Sequence, residues 1–219
     1  MHKLTLTLVM LGLMALPALG QSTYFYDWDG TQASDLGRAD PGTEGACTVD
    51  ANCPGGAGGG LTLTVTDQYS RGSRTFLASV WGLQEGDRVT VSIWQYDETP
   101  GTGERMRLAA HYNNSLVEEA DARGQDLAIN HGERSFTDWP TQAGWEQVNQ
   151  SWMIEAGYSG LVIDADVFGS VGDTIQLDLL TIRVPDHASV RMPDRIYTAG
   201  GDVVANQVRS LSQIKALFQ

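Results

Sequence analysis

Basic residues are scarce in this chain: 14 Lys and Arg stand against 27 Asp and Glu, leaving a net charge of −13. Nucleic-acid binding rests on Lys and Arg neutralising backbone phosphates, so the balance argues against that class of partner and disfavours an anionic lipid surface. Long apolar runs are also rare. The one run of note, from Leu4 to Leu16, is shorter than the ~20 residues that cross a bilayer, and no later stretch approaches that length. Helical periodicity is nearly missing before the last thirty or so residues. The chain contains no G-x-S-x-G, P-loop or H-E-x-x-H signature.

What is present begins with an export signal. His2 and Lys3 precede the apolar run, and Ala18, Leu19 and Gly20 supply small residues for cleavage, so residues 1–20 read as a signal peptide. The expected location is secreted or periplasmic. Residues 21–185 are expected to form one domain and residues 186–219 a tail.

Cys47 and Cys53, the only two cysteines, lie six positions apart in the Gly/Pro/Asp/Asn-rich string ACTVDANCPGGAGGG. In an oxidising compartment the expected state is a local disulfide, stabilising by roughly 2 kcal/mol for so short a ring. Too few further ligands are nearby for zinc.

Apolar residues alternate with period two across segments 23–27, 61–66, 74–80, 87–96, 105–112, 115–120, 145–155, 160–167 and 174–184, with turn-forming residues between them. The pattern predicts an all-β fold, an antiparallel β-sandwich of jelly-roll type. Two longer connections, residues 30–60 and 121–144, interrupt it. In the tail, Val204, Val208, Leu211, Ile214 and Phe218 recur at helical spacing behind Asp202, which predicts a short amphipathic C-terminal α-helix. Packing on the sandwich and docking onto a protein partner are the two roles open to it.

The segment VWGLQEGDRVTVSIWQY is the most informative. Val89, Val91 and Ile93 alternate with Thr90, Ser92, Trp94 and Tyr96, so one strand face is aliphatic and the other ends in two flat rings. A sugar has apolar C–H faces and a fringe of hydroxyls, so it is met by such rings together with amides and guanidiniums. Arg107 and His111 on the following strand are expected to flank the rings, and Gln147, Asn149 and Ser151 to form a polar row. Val148, Trp152 and Ile154 read as core, as does Trp145 at the start of its strand. Asp164 and Asp166 read as a solvated strand face.

In order along the chain, YFYDWDG, GLQEGDRVTVSIWQY, RMRLAAHY, GWEQVNQSWMI and GDTIQLDLLTI resemble the jelly-roll carbohydrate-binding modules of families 4, 9 and 22, with their galactose-binding-like sandwich. The resemblance spans residues 23–184. The sequence departs from those modules in the Cys-bearing loop and in the expected terminal helix, and no attached catalytic domain is expected. It implies non-catalytic recognition of a glycan or polysaccharide by Trp94, Tyr96, Arg107, His111, Gln147 and Asn149. It also implies structural calcium where the first and last strands meet, with Asp27, Asp29 and Asp178 as carboxylate ligands.

A glycosidase needs paired carboxylates across the scissile bond, and no E-x-D-x-x-E arrangement of jelly-roll glucanases is present. The Arg-Glu-Leu-Arg, Gln-Ile-His and Tyr-Lys-Ala-Gly strands of jelly-roll polysaccharide lyases are missing too. A surface or matrix protein acting through protein contacts is the second reading that the residues leave open.

Overall fold

The computed structural model describes residues 20–28, 43–49, 59–66, 73–97, 105–113, 144–193, 195–199 and 203–205. Twelve strands follow one another: β1 (Gln21–Tyr26), β2 (Thr43–Val49), β3 (Gly59–Val65), β4 (Ser73–Trp81), β5 (Arg88–Asp97), β6 (Arg105–Asn113), β7 (Gly144–Met153), β8 (Gly160–Phe168), β9 (Thr174–Pro185), β10 (Ser189–Arg191), β11 (Arg195–Tyr197) and β12 (Val203–Ala205).

They form two six-stranded antiparallel sheets. The first runs β2-β3-β9-β5-β7, with β1 also pairing with β9; the second runs β12-β11-β10-β4-β8-β6. Strand β9 is long enough to serve two neighbours along one edge, with β3 on Thr174 to Leu177 and β1 on Leu180 to Pro185. The all-β sandwich is the architecture the alternation predicts.

Alternation also explains the core. Val89, Val91 and Ile93 of β5 and Leu180, Ile182 and Val184 of β9 point inward from the first sheet. They meet Met106, Leu108, Leu161, Ile163 and Val167 of the second in a single buried cluster that includes Trp152. Short turns close the ends. Between β4 and β5, Gly86 takes φ +86, and Asp87 accepts the Gln84 N–H at 2.7 Å through its carboxylate. Asp173 does the same for Ser170 at 2.6 Å before β9.

Several expectations are corrected. The sheet does not stop near Pro185, because β10 pairs with β4 and brings β11 and β12 into the second sheet. Val204 lies in β12 opposite Ile196 and is not a helical position; two adjacent β-branched valines after a Gly-Gly pair favour a hairpin over a helix start. Val208, Leu211, Ile214 and Phe218 lie outside the described residues, as does the strand expected at 115–120. Cys47, expected in a loop, is in β2 opposite Leu61. Cys53 lies outside the described residues.

The outward face of the second sheet is itself buried. Asp164 and Asp166, expected in solvent, are 4% and 3% exposed. Asp166 accepts from Arg107 Nε at 3.3 Å and Asp164 lies 3.7 Å from His111 Nε2. Phe76 and Val162 form a small apolar cluster on the same face. Buried carboxylates need such partners, because desolvation of an unpaired charge is costly.

Candidate functional site

The outward face of the first sheet has a different character. Its side chains fall into rows set by strand register. One row runs Gln176, Tyr96, Trp145; the next Asp178, Trp94, Gln147; then Phe25, Thr181, Ser92, Asn149; and last Thr23, Arg183, Thr90, Ser151. Trp94, Tyr96 and Trp145 are partly exposed, and Gln147 and Asn149 are exposed. The rings of Tyr96 and Trp145 lie 5.6 Å apart at 50°. The hydroxyls of Thr90 and Ser151 share a hydrogen bond of 2.8 Å.

Four of the six predicted glycan-contacting residues therefore meet on one surface: Trp94 and Tyr96 on β5, Gln147 and Asn149 on β7. Arg107 and His111 do not join them. They belong to β6, at the far edge of the other sheet, and project from its outward face into the buried layer around Asp164 and Asp166. The expectation assumed that consecutive strands pair, whereas β5 lies between β7 and β9.

Sequence reading also missed members of the face. Trp145, expected against the core, shares odd parity with Gln147, Asn149 and Ser151, while Val148 and Trp152 point inward. That parity was visible in the sequence. Phe25, 62% exposed, comes from β1, and Thr181 and Arg183 come from β9.

Two of the three predicted carboxylates, Asp27 and Asp178, lie near one corner. Asp178 is 1% exposed and accepts the N–H of Leu179 at 2.7 Å. Asp27 is exposed just beyond Tyr26, which pairs with Leu180, so the two aspartates lie on neighbouring strand positions. Asp29 lies outside the described residues. Among the described residues no three His, Cys, Asp or Glu side chains group as metal ligands.

The architecture can now be set beside known structures. Its fold is that of jelly-roll carbohydrate-binding modules. The tandem CBM22-1–CBM22-2 domain of Paenibacillus barcinonensis Xyn10C matches with a TM-score of 0.51 at 13% identity, over 78% of this chain and 47% of that one, so this chain spans about half of the tandem. The single CBM22-1 xylan-binding domain of the same protein matches at 0.48 and 13% identity, over 74% of this chain and 93% of that one. The C-terminal family 22 module of Clostridium thermocellum Xyn10B matches at 0.48 and 11% identity, over 74% and 93%. No family model and no curated protein matches the sequence.

Proposed function

We propose that the protein is an exported, non-catalytic glycan-binding module whose ligand lies on the outward face of the first sheet. The observation that carries this reading is Trp94, partly exposed beside the Tyr96–Trp145 ring pair and directly opposite the exposed Gln147. Rings stack on the C–H faces of sugars, and the amides of Gln147 and Asn149 offer both donors and acceptors to hydroxyls. The shared fold supports the reading. The tilted Tyr96–Trp145 ring contact sits at one end of the face and the hydroxyl rows at the other, so the surface offers stacking and hydrogen bonding along a single path.

Affinity electrophoresis of the protein through gels containing a panel of soluble polysaccharides tests it. Retardation by a glycan, lost in Trp94→Ala while the melting temperature holds, supports the reading. Free migration through every gel, with the fold intact, contradicts it and turns attention to a surface or matrix role.

The proposal extends to one calcium ion at the corner of β1 and β9. Hard cations take carboxylate and carbonyl oxygens, and a carboxylate as buried as that of Asp178 fits such a ligand. Asp178 and Asp27 would hold the ion together with main-chain oxygens and Asp29. When bound, the ion would tie the end of β1 to β9 and leave the ring-bearing face to the sugar.

A further inference from the structure

The same outward face carries two cations that the glycan-binding reading does not use. Arg183 of β9 stands opposite Thr90 of β5, and Arg88 lies two residues from Thr90 on that strand. The two arginines are thus diagonal neighbours, about 7–8 Å apart at the backbone. Both are exposed, and neither guanidinium is engaged in an ion pair among the described residues.

In a chain with net charge −13 this is unexpected, because carboxylates are abundant and a nearby one would lower the energy of the pair. Among the described residues, two of the acids at this end of the sandwich are engaged by other groups. Asp87 accepts from the Gln84 N–H and pairs with His187 at 2.8 Å, and Asp186 accepts from the Ser22 hydroxyl at 2.7 Å. Glu85 is exposed in the turn that leads into β5. The row holding Arg183 is otherwise hydroxylic, with Thr23 on one side and the hydrogen-bonded Thr90 and Ser151 on the other.

From these observations we infer that the ligand is an anionic glycan, and that Arg183 and Arg88 bind its carboxylate or sulfate groups. The inference rests on the glycan-binding reading and names its substrate class. A guanidinium presents a planar fork of N–H donors that matches a carboxylate or sulfate in two parallel hydrogen bonds. Trp94 lies four residues along β5 from Thr90, about 13 Å at strand spacing, so one chain of sugars reaches from the stacking rings to the arginines. The overall negative charge of the protein repels polyanions, which makes two exposed arginines with no ion-pair partner among the described residues a device for local selectivity.

The test is binding of matched polysaccharide pairs that differ only in charge: polygalacturonate against its carboxyl-reduced form, and dextran sulfate against dextran, measured by calorimetry on the native protein, R88Q/R183Q and W94A. The acidic member of a pair is expected to bind about tenfold or more tightly than the neutral one, the ratio that one charge-assisted hydrogen-bonding site supplies. R88Q/R183Q should bring that ratio to about one with an unchanged melting temperature, whereas W94A weakens both members alike. The carboxylate and sulfate pairs separate the two sources of the anion. Equal affinity for charged and neutral members, or a preference that survives in R88Q/R183Q, overturns the inference and leaves glycan binding standing; loss of all binding in the native protein overturns both.

Discussion

Asp178 stands opposite Trp94 across the β5–β9 pair, at the point where β9 carries one residue more than its partner. Ser92 pairs with Thr181 and Trp94 with Asp178, so two steps on β5 answer three on β9, and Leu179 takes up the excess with φ 49. This bulge switches the inward set of β9 from Ile175 and Leu177 to Leu180, Ile182 and Val184. It also brings a buried carboxylate beneath the aromatic end of the outward face.

The calcium ion proposed at that corner would have a thermal signature. An ion held by the native state alone raises the melting temperature in proportion to the logarithm of its concentration. The protein is expected to melt higher in calcium than in chelator, and Asp178→Asn to remove the difference. Scanning calorimetry checks this; identical melts in calcium and chelator would rule the ion out.

Gln95 is an anomaly in the core. It shares the inward face of β5 with Ile93, is 1% exposed, and neither amide atom has a hydrogen-bond partner among the described residues. A buried amide left unpaired costs about 1–3 kcal/mol. Gln95→Leu, similar in volume, is therefore expected to raise stability by about 1 kcal/mol or more in urea denaturation, with sugar binding unchanged. A lower midpoint would show that the amide has a partner in solution.

Gly160 begins β8 between two strands. A Cβ added there would meet the carbonyl oxygen of Val80 at 2.7 Å and that of Asn113 at 3.2 Å, both backbone atoms that cannot rotate away. Gly160→Ala is expected to cost about 1–3 kcal/mol, the usual range for forcing atoms into a packed interior. Denaturant titration reads the loss directly, and a wild-type midpoint would contradict the close packing of β4, β8 and β6.

Tyr112 links stability to alkaline pH. Burial, and then the negative charge of Glu155, push its phenol up to about 12 from 10, while its hydroxyl donates to the Met153 carbonyl at 2.7 Å. Above pH 10 the unfolded chain loses this proton and the folded one keeps it. The contribution of Tyr112 is therefore whole below pH 10 and disappears as pH rises toward 12. Tyr112→Phe is expected to lose less stability than wild type across that window; parallel curves would contradict the shift.

Much of this architecture was legible because alternation reports which residues of a strand share a face. The bulge itself shows in the string TIQLDLLTIRV, where apolar residues change from odd to even positions around Leu179. Strand order is a different kind of information. Nothing in the alternation of β5 and β6 says that they lie in different sheets, so alternation alone sets Arg107 and His111 beside Trp94. The burial of Asp164 and Asp166 is not legible because alternation separates a core face from the other face, but does not tell whether that second face is covered. β10, β11 and β12 have three residues each, too few for any period to show.

The most direct test of the central claim is chemical-shift mapping of the labelled protein during titration with a bound oligosaccharide. The account predicts shifts concentrated on Trp94, Tyr96, Trp145, Gln147 and Asn149, reaching toward Thr181 and Arg183. Shifts concentrated instead on Arg107, His111 and Asp164 would place the ligand on the other sheet and contradict it.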